Sequence, residues 1–404
     1  MQFDFNTYTK EYIDNEAIKK FASKANEIKK KFETNLKELK WFQMSEYVDN
    51  AELKEIKELA VHLKETTDVL LVVGIGGSYM GTQAILSAML PYFKKTQPEI
   101  IFVGTSLSSE YYYDLMEYLK EKRVSINVIS KSGNTMETIT AYELLMKMMH
   151  KKYTKKELKQ RIYVTTNIHQ GKLLEEAKKN GYRTFFIPDD IGGRYSILTS
   201  VSLFPLAVAG IDIIEFLKGA KEGRMYLNYA SIYAMVRTIL YERERVIEAF
   251  TVYEPKLYYF TEWLKQLFAE SEGKDCKGIL PISVVNPRDL HSLGQFIQDG
   301  NPCLFETNLY VDTCRTVTLE KYHEPMHDIE HLVLEKVCEA HTMSGSPSNI
   351  ITLDSINEYH LGEACMFFMM SAAISAYLID VNPFDQPGVE TYKELIAQNL
   401  RVLK

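Results

Sequence analysis

Cysteine is scarce in this chain and poorly placed for structural work. The five residues, Cys276, Cys303, Cys314, Cys338 and Cys365, are odd in number, include no Cys-x-x-Cys pair, and leave the first 275 residues without any. That distribution argues against a disulfide framework or a zinc–cysteine site and fits reduced thiols in a cytoplasmic protein. Positive charge is not in excess either, since the formal net charge is -7. Binding a nucleic-acid backbone needs clustered cations, so no nucleic acid is expected as a partner. Long hydrophobic runs are missing too. The uncharged stretches 195–211 and 364–379 both fall short of the roughly 20 residues that span a bilayer, and the first contains Pro205. Both read as buried helices, and no membrane partner is expected. The N-terminal Met-Gln-Phe-Asp-Phe lacks the basic-then-apolar order of a signal peptide. Short-period repeats and low-complexity tracts are absent as well.

What is present is ordinary in bulk, with 46% hydrophobic and 25% charged residues over a length that suggests two or three domains. Residues 16–40 place Ile18, Phe21, Ala25, Ile28, Phe32, Leu36 and Leu39 at helical spacing. Lysines fill the other faces, interrupted by Glu27, Glu33 and Glu38, which favours a solvated face on a packed helix over a membrane-surface helix. From Asp68 the rhythm changes to short apolar runs separated by helical stretches: 69–73, 100–103, 126–129, 162–164 and 184–187. A second series begins near Val246, with runs at 279–284, 304–311 and 349–353. Strands alternating with helices imply parallel βαβ units, here as two α/β sandwiches joined by a helical stretch over 196–245.

Two loops invite an anion. Leu71-Val-Val-Gly-Ile-Gly-Gly-Ser78 is a buried strand running through glycines into a helix, and Ile129-Ser-Lys-Ser-Gly-Asn-Thr135 repeats that arrangement. Gly77 and Ser78 in the first loop, and Ser130, Lys131, Ser132 and Thr135 in the second, supply close backbone approach, hydroxyls, helix N–H groups and a countercharge suited to a phosphate monoester. The dinucleotide fingerprint is not met, because Tyr79 stands where its third glycine belongs. Each loop alone could equally be a tight turn or a capped helix start. Together, after strands of one parallel sheet, they would converge on the carboxyl edge where such sheets bind ligands.

Four further groups could carry chemistry. Glu270 ends a helix over 255–270, aligned with Gln266, and could act as a general base, although a surface glutamate is the commoner case. Arg194, in Gly192-Gly-Arg-Tyr-Ser196, could stabilise developing negative charge or simply pair with Asp189 or Asp190. His291 could carry a proton near neutral pH, and Lys393 closes the segment Phe384–Lys393. His323, His327 and His331 are spaced as metal ligands on one helix face would be. Pro325 interrupts the spacing and nothing completes a ligand set, so no metal is expected.

These motifs, in this order, resemble the glucose-6-phosphate isomerase family in its shorter bacterial form, over about residues 66–395. The carrying segments are the two phosphate loops, Gly192-Gly-Arg-Tyr-Ser196, Glu270-Ser-Glu-Gly-Lys274, Arg288–Gln295 and Phe384–Lys393. The resemblance implies an α/β fold of two tandem sugar-isomerase-type domains, each a mainly parallel sheet flanked by helices, with extra N- and C-terminal helices. The expected divisions are an N-terminal helical region at 1–65, a first domain with the phosphate loops at 66–215, a second domain at 216–385 and a C-terminal helix at 386–404. It implies Glu270 as the base, His291 and Lys393 as the ring-opening pair, Arg194 as the enediolate stabiliser, and Gln266 and Gln386 beside the sugar. It implies no cofactor, a small phosphosugar as substrate and a homodimer with a shared active site. Asn134 stands where many relatives have a second threonine, and only eleven residues follow Lys393, which leaves tail contacts open. An isomerase of another phosphosugar, or a non-catalytic phosphosugar-binding regulator, would share the phosphate loops.

Overall fold

Phe3 and Phe5 alternate with Asp4 and Asn6, a period of two that builds strand β1 (Gln2–Tyr8) in the computed structural model, which describes residues 1–34 and 39–400. The start of the chain is therefore a strand, not part of the helical region expected over 1–65. Helices follow: α1 (Asn15–Thr34), α2 (Lys40–Tyr47) and α3 (Asn50–Thr66). α1 buries Phe21, Ala25, Ile28 and Phe32 as the spacing predicts, while Ile18 stays exposed. Leu36, Lys37 and Glu38 of that pattern lie outside the described residues.

The first sheet runs β2 (Val69–Val73), α4 (Met80–Met89), β3 (Glu99–Val103), α5 (Ser109–Leu119), β4 (Val124–Ser130), α6 (Met136–Lys152), α7 (Lys155–Arg161), β5 (Ile162–Asn167), α8 (Lys172–Asn180) and β6 (Arg183–Ile187). Its strands are all parallel, in the order β3-β2-β4-β5-β6. β2 and β4 are buried at every position, as central strands covered on both faces must be. The order reverses between β2 and β4, and both phosphate loops follow those two strands.

Helices α9 (Ser200–Val208), α10 (Ile213–Gly223) and α11 (Leu227–Glu242) lead to the second unit. It comprises β7 (Ile247–Val252), α12 (Tyr258–Glu272), β8 (Leu280–Val285), α13 (Gly294–Asp299) and β9 (Leu304–Thr313). A small ribbon, β10 (Thr318–Leu319) with β11 (Glu324–Pro325), comes next, then α14 (Met326–Met343), β12 (Ser348–Ser355), α15 (Glu358–Leu378) and α16 (Glu390–Leu400). The order is β1-β12-β9-β7-β8, parallel except for β1, which pairs antiparallel with β12. Helix α15 is long and apolar enough to cross a membrane, but it is buried along nearly its whole length against α1, α10, α11 and α12. Its contact with α10 is backbone to backbone. A Cβ on Gly219 would stand 1.8 Å from the Tyr359 carbonyl oxygen.

One buried cation ties the second unit together. Arg237 of α11 is fully enclosed; its Nε donates to Glu248 Oε2 (2.8 Å) in β7 and its Nη1 to Glu272 in α12. Tyr233 and Thr307 donate to the other Glu248 oxygen. Breaking such a pair from one side leaves uncompensated buried charge. Arg237→Met should therefore lose about 3–5 kcal/mol in urea unfolding, with part restored by adding Glu248→Gln and Glu272→Gln. A single variant as stable as the parent would contradict this account.

Candidate active site

Gly77, Ser78, Ser130, Lys131, Ser132 and Thr135 all line one pocket of about 720 Å³ at the carboxyl ends of β2 and β4. Three helices start at its rim. Their N-cap residues are Tyr79 for α4, Thr135 for α6 and Gly171 for α8, and none makes a side-chain cap bond. An ordinary cap would turn the Thr135 hydroxyl onto its own helix. Instead Thr135 Oγ1 lies 3.3 Å from Ser130 Oγ, which accepts from Gly133 N at 3.1 Å. Orphan N–H groups and hydroxyls converging from three helix N-termini, with Lys172 also in the lining, are groups that can hold an anion. Lys131 borders the pocket, yet its ammonium donates to the carbonyls of Asp189 (2.6 Å) and Ile191 (3.0 Å), and burial lowers its pKa.

Asn134 lines the same pocket, as do Asn167, Gln170, Gly171 and Lys172. The last four were missed in the sequence. Their signal is the glycine after β5, held at φ +121° at the start of α8, which makes a third strand–glycine–helix junction. The notable contact of Gly77 is with another loop: a Cβ there would fall 2.1 Å from the Gly193 carbonyl carbon. Gly193 also lines the pocket, so the first phosphate loop and the Gly192–Ser196 turn are pressed together.

From that turn Arg194 points away from the pocket, with 1% of its side chain exposed. Its Nη1 meets Glu270 Oε2 at 3.4 Å, its Nε donates to Ser271 Oγ at 3.0 Å, and its Nη2 donates to the carbonyls of Pro383 and Asp385. It makes no pair with Asp189 or Asp190; Asp190 pairs with Lys40, and Asp189 accepts from Asn167. Glu270, in the last turn of α12, keeps 30% of its side chain exposed and accepts from Gln266 Nε2 at 3.1 Å. The other amide atom, Gln266 Oε1, is buried without a protein partner. α12 packs on α4 of the first unit and on β8 of the second, which brings Glu270 to the junction of the two sheets.

Lys274 follows on the same side. Its ammonium donates to the Ser271 carbonyl at 3.0 Å and to the Asn382 carbonyl, and pairs with Asp385 Oδ1 at 3.2 Å. Burial lowers its pKa. Gln386 comes directly after this clamped segment, half-buried at the head of a short turn over Pro387–Val389.

Two expected groups are not brought to Glu270 within this chain. His291 ends a turn over Arg288–His291 and is exposed, with no hydrogen bond or ion pair to a described residue. Lys393 lies on α16, whose described side chains are all exposed, and among the described residues its ammonium meets only Glu390, at 2.8 Å. The histidine row also dissolves. His323 sits in a left-handed turn (φ +53°) ahead of α14, so the three do not share a helix face, and His327 stacks on Tyr310 with centroids 5.3 Å apart.

The fold is that of phosphosugar enzymes. A glucose-6-phosphate isomerase structure from Chlamydia trachomatis superposes with a TM-score of 0.79 at 20% identity, covering 90% of this chain and 78% of its own. A hypothetical protein from Thermus thermophilus superposes with a TM-score of 0.86 at 24% identity over 99% of both chains. Sequence narrows the class. The pattern of the phosphoglucose isomerase family matches residues 14–282, and the glucose-6-phosphate isomerase of Caldanaerobacter subterraneus subsp. tengcongensis is 44% identical over 382 residues, 88% of this chain and 85% of its own. The chain belongs to the phosphoglucose isomerase family.

If the pocket holds the phosphate, it contributes equally to ground and transition states. Ser130→Ala/Thr135→Ala should then raise KM for a phosphosugar by about tenfold or more while turnover at saturation changes less. An unchanged KM would remove the pocket from substrate binding.

Proposed function

We propose that the protein interconverts glucose 6-phosphate and fructose 6-phosphate in the cytoplasm, by ring opening followed by proton transfer through a cis-enediol. The observation that carries this reading is the pairing of Glu270 with Arg194, the residue after pocket-lining Gly193, in a chain of this family. A half-exposed carboxylate can take a carbon-bound proton from the substrate. A buried guanidinium, which cannot lose its own proton, favours the negative charge that then develops. Glu270 removes the proton from C2 and returns it to C1, so one group serves both halves of the reaction. Gln266 holds one Glu270 oxygen and Arg194 meets the other, so the two together fix the plane of the carboxylate. The unpartnered Oε1 of Gln266 offers an acceptor to a sugar hydroxyl. The uncapped helix starts and the hydroxyls of Ser78, Ser130, Ser132 and Thr135 hold the phosphate, with Gly77 letting the Gly193 backbone close against the loop. Lys131 acts there by fixing the 189–191 loop, which leads into pocket-lining Gly193.

Ring opening falls to His291 and Lys393, and their placement supports a homodimer. His291 is exposed and unengaged, and α16 presents Tyr392, Leu395 and Ile396 to solvent beside Lys393. Such groups complete a site when a second copy covers them, His291 reaching the partner's base. Mixing inactive Glu270→Gln protein with inactive His291→Ala protein should regain part of the activity after subunit exchange. Verified heterodimers that stay inactive would return His291 to its own subunit's site.

The direct test is on the base. Glu270→Gln keeps the size and hydrogen bonding of the side chain but cannot accept the proton, and should lose about 10⁴-fold in kcat with phosphosugar binding little changed. NMR in deuterated water reads the step itself. The parent should exchange the C2 hydrogen of glucose 6-phosphate and the variant should not. Exchange near the parent rate would assign the chemistry to another group.

A further inference from the structure

We propose that Lys274 is a positioning residue for the reaction, holding the segment that precedes Gln386, and that leads into the helix of Lys393, against the turn that bears Glu270. Its side chain is 7% exposed, and its three donors meet three acceptors: the Ser271 carbonyl, the Asn382 carbonyl and the Asp385 carboxylate. The first belongs to the residue beside the base. The other two belong to a segment more than a hundred residues away in sequence. Arg194 takes the intervening carbonyl of Pro383 and that of Asp385. Two cations thus grip Asn382–Asp385 from one side, and both touch residues 270–271. Gln386 is the next residue, and α16 with Lys393 leaves the body only four residues later.

The charge is also well sited. Lys274 follows the last turn of α12, where unsatisfied carbonyls concentrate negative potential. Loss of the ammonium need not unfold the protein. Asp385 has 52% of its side chain exposed and can be solvated, and the core of α12 is anchored independently by Arg237 through Glu272. What loosens is the tether between the base and residues 382–400. The catalytic part of this inference rests on Lys393 acting in ring opening; the tether itself does not.

The test uses full-length Lys274→Met. Its kcat should fall about tenfold or more while KM changes less than about threefold, because the phosphate loops are untouched. Amide hydrogen exchange should accelerate over residues 382–389 and stay protected along α12. In a double-mutant cycle, Lys274→Met should add little to Lys393→Ala, since both disable the same group. Unchanged exchange at 382–389 would overturn the tether. Faster exchange with unchanged kcat, or with effects that add fully to those of Lys393→Ala, would overturn the catalytic role. Full activity in Lys393→Ala alone would instead refute the ring-opening assignment, with the exchange measurement still deciding the tether. Should Lys274→Met fail to fold, Asp385→Asn, which weakens the same contact from its exposed end, should give the same pattern at smaller size, and normal kinetics there would overturn the proposal.

Discussion

The site depends on one enclosed guanidinium. Arg194 has contacts on every donor-bearing nitrogen: Glu270 and Ser271 from α12 on one side, Pro383 and Asp385 from the C-terminal segment on the other. A charge so deeply buried is tolerated only when it is paired and hydrogen-bonded, so the two segments that supply its partners are obliged to meet the arginine's own turn there. Its neighbours reinforce the meeting. Tyr195, next in the chain, packs on Trp41 and Phe384 and shares Ser271 Oγ, and burial pushes its phenol up to about 12. The arginine is therefore a joint between chain segments as well as a neighbour of the base, and substituting it would disturb both.

A second buried cation repeats the principle a short way off. Arg237 grips Glu272, two residues beyond Glu270, and Glu248 in β7, which lies between β9 and β8. The C-terminal turn of α12 is thus fixed to the second sheet, while Arg194 and Lys274 fix to it the turn after Gly192 and the segment before Gln386. Glu270 lies between these anchors with its carboxylate still partly exposed. Buried ions thus fix the backbone on both sides of Glu270 while its carboxylate stays open to solvent, the arrangement that preorganisation of a reacting group requires.

Much of this was legible from the residues. The strand positions follow from short apolar runs such as Val69–Val73, which only a sheet covered on both faces can bury in full. The six loop residues named for phosphate do share one pocket, because strand–glycine–helix junctions on a parallel sheet converge at the point where strand order reverses. β1 was not legible. Its alternation covers too few residues, and its partner β12 lies more than three hundred positions away. The junction at Gly171 escaped because a single glycine between Asn167 and Lys172 has no hydroxyl cluster beside it. The clamp on Asn382–Asp385 escaped for a deeper reason: it is built on backbone carbonyls, which every residue possesses, so no side-chain motif announces it.

The contact between Gly77 and Gly193 has a consequence for how the pocket and Glu270 are spaced. Both glycines border the phosphate pocket, and the residue after Gly193 is the arginine that touches the base. Where two backbones meet with no side chain between them, neither can slide without a clash. The distance between the pocket and the Glu270 carboxylate is then held by the packing of one backbone on another. A side chain added at Gly77 would push back Gly193, and with it the guanidinium that Glu270 leans on, before it met anything bound in the pocket.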